Sequence, residues 1–328
     1  MSGGFSTHLS ADGRLQFAAV NVVPLSWIMA MLTTSTIIVM TMMAWTGLTI
    51  DFLKASNAAY LVILAVLAII RIALGNTKSR GQMVVRDFSE YLGLFIFLSL
   101  LGATATYPAA AMTTGFVDAE LARMDSLLFF NWNDWYIFVS AHPVLQQAGR
   151  LAYANIYLSP ALLLGAFAMA DERAKAQLFL VTFLLAATIT LALFFAFPAV
   201  GPLSYLWQEP IAYMPTSGVY QAQLLPLLRG NMLGEIDLGA LQGLVCAPSF
   251  HTAAAIIYIV MAWEHRQLRW PLLALNIAML LSTPIEGTHY LVDMIGGAAV
   301  ALLALAIVIT LQQKISGWRE NHWKAQAI

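Results

Sequence analysis

The sequence predicts an all-α fold: a polytopic membrane helix bundle of about eight spans, with an amphipathic helix on one surface. Three observations carry this. Sixty per cent of the 328 residues are hydrophobic and only 10% are charged, whereas soluble domains carry about 45–50% apolar and about 25% charged residues. The apolar residues fall into runs near the ~20 residues that a helix needs to cross a bilayer. Lysine and arginine sort between alternate loops, as a membrane topology requires.

In chain order, spans are expected over 22–45, 58–74, 91–106, 151–169, 178–197, 251–263, 270–281 and 289–311. The sixth and seventh are short, so their helices are expected to extend further. The mixed, polar stretch 1–20 has no charged start, short apolar core and small-residue cleavage site, so no removable signal peptide is read there.

With the N-terminus cytoplasmic, 11 cations fall inside: Arg14, Lys78, Arg80, Arg86, Arg173, Lys175, Arg266, Arg269, Lys314, Arg319 and Lys324. Lys54, Arg123, Arg150 and Arg229 fall outside, and Arg71 lies near the inner end of the second span. Both termini are then cytoplasmic. Two outer segments exceed simple turns. One, from about 108 to 150, contains FVDAELARMDSLLFFNWNDW. Its apolar residues recur at helical spacing with Asp118, Arg123 and Asp125 between them, an amphipathic surface helix, and Trp132 and Trp135 suit the headgroup layer. The other, 201–247, is rich in proline and irregular.

Composition also excludes. The net charge is −1 and no basic run points to nucleic acid. The single cysteine, Cys246, rules out an internal disulfide.

Two of the six histidines open apolar helices on the outer side, in CAPSFHTAAAIIY (His251) and STPIEGTHYLVDMIGG (His289). Asp293 follows His289 by four residues and so shares its helix face. It can fix the tautomer of His289 and sharpen its other nitrogen as a nucleophile. A structural pair, or half of a metal site, would show the same spacing. Ser249 and Pro248 are a helix-start signal, and such a start also attracts a phosphate oxygen. Arg229 is the only cation in the second outer segment, and Arg150 ends the fourth span; each is either a phosphate clamp or an ordinary solvated or interfacial charge.

PSFH before an outer helix and HYLVD opening the last helix resemble the type-2 phosphatidic acid phosphatase superfamily. The likeness is greatest to the branch of inositol phosphorylceramide synthases and related membrane phosphotransferases, and covers roughly 108–301. The segments FPAVGP and LLRGNML are also similar to this branch. The resemblance implies a six-helix core over 87–313, two extra spans within 1–86 and a cytoplasmic tail over 314–328. It implies His289 as nucleophile, Asp293 as its orienting partner, His251 as general acid, and Ser249 with nearby amides on phosphate oxygens. No metal or cofactor is implied. The KxxxxxxRP motif of the phosphatases is missing. Thr283 stands where SRxxxxxHxxxD has arginine, and Phe250 where PSGH has glycine.

With those cations gone, Arg229 and then Arg150 become the candidate substitutes. The expected function is transfer of a phosphoryl head group from a phospholipid or lipid-linked donor to a lipid or polyol alcohol, through a phosphohistidine, on the periplasmic or lumenal face. The alternatives are a lipid phosphate phosphatase using water, a metal hydrolase, and a non-catalytic lipid transporter or scaffold.

Overall fold

A computed structural model describes the backbone of residues 23–326 and the side chains of 23–314. The stretch 1–22 with Arg14, and the side chains of Arg319 and Lys324, lie outside the described residues. The described chain is helical, joined by turns, with a lone parallel bridge between Thr49 and Glu235.

Three long helices come first: α1 (Leu25–Thr46), α2 (Ala55–Ala73) and α3 (Arg80–Met112). Short helices α4 (Asp118–Leu127) and α5 (Trp132–Ser140) follow, then α6 (Pro143–Tyr153) and α7 (Asn155–Ala170), bent by 40° at their junction. Next come α8 (Arg173–Phe194), the turn-length α9 (Pro202–Tyr205) and α10 (Tyr220–Arg229). The chain ends in α11 (Phe250–Ala262), α12 (Arg269–Glu286) and α13 (Leu291–Gln326). Five are long and apolar enough to cross a membrane (α1, α2, α3, α8 and α13), six if α6 and α7 form one bent span. The chain is therefore an all-α, multi-pass integral membrane protein. α11 and α12 fall outside that set, although a helix occupies each of the eight expected stretches.

The sixth stretch departs from expectation, because its helix does not extend. Ser249 caps α11 at one end, and a turn at His265, whose N–H donates to the Ala262 carbonyl, closes the other. Its 13 residues rise only about 20 Å, against a hydrocarbon core of about 30 Å. α12 does extend, to Glu286.

The core lies where α3, α7, α8, α11, α12 and α13 meet, around Phe95, Phe179, Phe183 and Tyr258. One buried polar cluster inside it is satisfied internally. Asn276 donates to Ser159 at 2.9 Å, Ser159 donates to Asn155 at 3.1 Å, and Asn155 donates back to Asn276 at 3.3 Å, which locks α7 to α12. Where α2 ends and α3 and α8 begin, Glu90 bonds both Arg71 and Arg173, and Arg86 grips Asp87 at 2.7 Å. Arg71 is thus half of an ion pair.

The expected surface helix is broken in two, at Phe129 (φ 56°). Met124, Leu127, Leu128 and Phe129 are exposed, while Asp118 and Asp125 are buried. Trp132 corrects the sequence reading. It is 1% exposed and its indole N–H donates to the Pro284 carbonyl at 2.7 Å, so it anchors α5 to α12 instead of sitting among headgroups.

Candidate active site

Both histidine motifs meet at one end of the bundle. What permits this is small side chains. A Cβ on Gly297 of α13 would come within 2.1 Å of the Ser249 carbonyl oxygen, so only glycine lets the start of α11 press against α13. The Ser249 N–H donates to the Asp293 carbonyl at 3.1 Å and ties the two motifs together. Gly287 does similar work: a Cβ there would lie 2.5 Å from the His289 ring and 2.9 Å from the Tyr153 hydroxyl.

His289 is 3% exposed, and its Nδ1 lies 3.0 Å from Asp293 Oδ1. A carboxylate accepts, so Nδ1–H donates and Nε2 is left with a free lone pair. The second Asp293 oxygen accepts from the Tyr290 N–H at 2.8 Å, and the Cys246 thiol lies 3.8 Å away. The i,i+4 pairing expected from sequence is therefore made. The His251 ring centroid is 6.4 Å from that of His289. His251 stacks on Tyr153 at 4.1 Å, and its Nδ1 lies 3.1 Å from the Tyr153 hydroxyl, which reaches Ser217 Oγ at 3.2 Å. Both imidazoles line a cavity of about 630 Å³ together with Tyr153, Thr216, Ser217 and Gly287. It runs down between α3 and α8 past Phe95, Leu98 and Phe183.

The remaining candidates sit elsewhere. Ser249 is fully buried, and its Oγ accepts from the Thr252 N–H as the cap of α11. Neither arginine lines the cavity. Arg229 donates to Thr113 Oγ1 and the Gly115 carbonyl, both at 2.9 Å, and lies over the Phe116 ring. Arg150 donates to the Tyr213 hydroxyl at 2.9 Å and the Met214 carbonyl at 3.1 Å. Tyr213 in turn donates to Glu286 at 2.5 Å, and Glu286 also accepts from the Thr216 N–H and hydroxyl. Arg150 thus props up the 213–217 segment that roofs the cavity.

Several positioning residues escaped the sequence reading. Asp125 accepts from the N–H groups of Leu291 and Val292 at 2.9 and 2.8 Å, capping α13 from a distant helix. Asp118 accepts from the Tyr290 hydroxyl at 2.9 Å and from the N–H groups of Val200 and Gly201 at 3.0 Å. A signal was present: residues seven apart share a helix face, so both acids point one way while Met124 and Leu127 point elsewhere.

Cys246, His289 and Asp293 also place ligand atoms within 4.8 Å of one another, a set able to hold a metal. Burial, and then the nearby Asp293 and Asp118 carboxylates, push the Cys246 thiol up.

No curated protein and no solved structure matches the chain. The PAP2 superfamily, however, matches residues 119–307, which is more than half of the chain and holds α4, both histidines, Asp293 and every helix between them. The chain belongs to the PAP2 superfamily.

Proposed function

We propose that this protein is a membrane phosphotransferase of the inositol phosphorylceramide synthase-like branch, moving a phosphoryl head group from a phospholipid or lipid-linked donor to an alcohol. One observation carries the proposal: two imidazoles 6.4 Å apart on one cavity, one of them held by a buried carboxylate.

In this mechanism Nε2 of His289 attacks phosphorus and the bond to the leaving oxygen breaks, giving a phosphohistidine. Asp293 stabilises the positive ring. His251 takes up its proton as the anionic phosphate docks beside it and then acts as the imidazolium. Its Nδ1–H donates to Tyr153, whose hydroxyl donates to Ser217, and its Nε2–H protonates the leaving alkoxide. His251 then takes the proton of the acceptor alcohol, which attacks phosphorus and frees His289. The first-turn amides after Ser249 supply donors to the phosphate oxygens. Arg150 and Arg229 stand as phosphate clamps that would have to leave Tyr213 and Thr113 to act, so smaller losses are expected on replacing them.

The proposal includes eight spans: a six-helix core of α3, α6–α7, α8, α11, α12 and α13, plus α1 and α2. α11 is a short element packed inside the others. The lysine and arginine bias favours cytoplasmic termini and a periplasmic or lumenal site. The cavity is largely apolar and reaches into the bundle, which favours a lipid alcohol over water as acceptor. Incubating the purified protein with a labelled phospholipid, with and without ceramide or diacylglycerol, tests this. Label is expected on the added alcohol; release of free phosphate alone would establish the phosphatase alternative.

A further inference from the structure

We infer that the α1–α2 hairpin is a tail-selecting wall of this site: it clamps the segment that precedes the His251 motif against the hydrocarbon of the bound lipid. The inference rests on the lipid-phosphate reading above. The hairpin lies outside residues 119–307, so the family match does not account for it.

The clamp is dense. Asn57 is the only buried residue of α2, and a buried amide in a membrane helix is costly unless bonded. Its Nδ2 donates to the Asp51 carbonyl at 2.7 Å and its Oδ1 accepts from the Leu238 N–H at 2.6 Å. Ser56 donates to Asp237 at 2.8 Å, and Lys54 pairs with the same carboxylate at 2.8 Å. Thr49 exchanges backbone bonds with Gly234 and Ile236, each at 2.9 Å. A Cβ on Gly239 would meet Ser56 Cβ at 2.6 Å, so the two segments are in close contact.

The clamped stretch then forms cavity wall. Leu238, Leu241 and Gln242 line the same space as the two histidines, and so do Tyr60 of α2 and Leu98 of α3. A water-soluble phosphate ester held at His289 would leave the apolar part along α3 unfilled. A lipid fills both ends, its phosphorus at the imidazoles and its tail along Leu98, since burying hydrocarbon there is favourable. The clamp sets how far the wall stands from that tail.

The test uses the full chain in detergent micelles and native mass spectrometry, reading the ratio of bound dioctanoyl to dipalmitoyl phosphatidic acid. The variants are Asp237→Ala, at the half-buried rim of the clamp, and Tyr60→Ala, on the wall. Each is expected to shift the ratio by about threefold or more, the scale of a methylene gained or lost from contact. His289→Ala is expected to keep the wild-type ratio while losing turnover. A ratio unmoved in both wall variants, or no phosphatidic acid bound by the wild type, overturns the inference. A ratio that moves while His289→Ala keeps turnover sinks the phosphohistidine mechanism and leaves the wall standing.

Discussion

The two ends of this bundle bury their acids in different ways. Where α3 and α8 begin, Asp87 and Glu90 lie against Arg71, Arg86 and Arg173, charge on charge. At the site end, Asp118, Asp125, Glu286 and Asp293 are equally buried. None of these four forms an ion pair with lysine or arginine among the described residues. Backbone N–H groups, hydroxyls and one imidazole satisfy them instead. Arginine pairs hold helices together and tolerate small shifts. Carboxylates gripping main-chain amides fix where the chain runs, which is what a catalytic site requires. The first end is built for cohesion and the second for position.

The largest expected effect lies at the centre of the second end. Replacing His289 with alanine should cut turnover by at least ~10⁴-fold with the helical content unchanged. His251→Ala and Asp293→Asn should each cost about 10²–10⁴-fold. Next comes the contrast itself. Asp125→Ala should destabilise by about 1–3 kcal/mol and lower kcat about tenfold, because the start of α13 shifts under His289. Glu90→Gln should destabilise by a similar or larger amount, up to about 3–5 kcal/mol, yet leave kcat of the folded fraction unchanged. Equal losses of kcat in these two variants would erase the distinction between the ends.

Smaller effects sharpen the picture. Arg150→Ala should raise KM about tenfold, the equivalent of about 1.4 kcal/mol, with kcat little changed, as the 213–217 roof loosens. A chelator should leave turnover unaltered; its loss would revive the metal reading of Cys246, His289 and Asp293. The weakest handle is pH. Hydrogen bonds from Lys54 and Ser56 hold the Asp237 carboxyl down at about 2, against 3.8 ordinarily. A lowered acid stabilises the fold above its unfolded value, so the clamp should persist at neutral pH and weaken only as pH falls from 3.8 towards about 2. Bound-lipid ratios measured across that range would follow it.

Much of this was legible from sequence wherever the relevant contacts are local. The five long apolar helices follow from run length, and the His289–Asp293 pair follows from a spacing of four on one helix. The site's supporting parts are non-local. Asp125 meets Leu291 and Val292 from 166–167 positions away. Asn57 meets Leu238 across 181. No periodicity reports such contacts. Trp132 was misread because an amphipathic indole suits the interface and a buried carbonyl equally well. Arg229 looked free because its partners, Thr113 and Gly115, lie in another loop. The apolar run 251–263 matches α11 closely; only the expected extension fails, because the Ser249 cap and the turn at His265 stop the helix.

The central claim, that His289 accepts phosphorus while His251 serves the leaving oxygen, is most directly tested by trapping. Wild-type protein would be mixed with a phospholipid labelled at phosphorus and quenched in alkali, which preserves phosphohistidine, and its peptides mapped. The predicted result is label on the peptide bearing His289, absent from His289→Ala. Label on another residue, or undiminished turnover by His289→Ala, would contradict it.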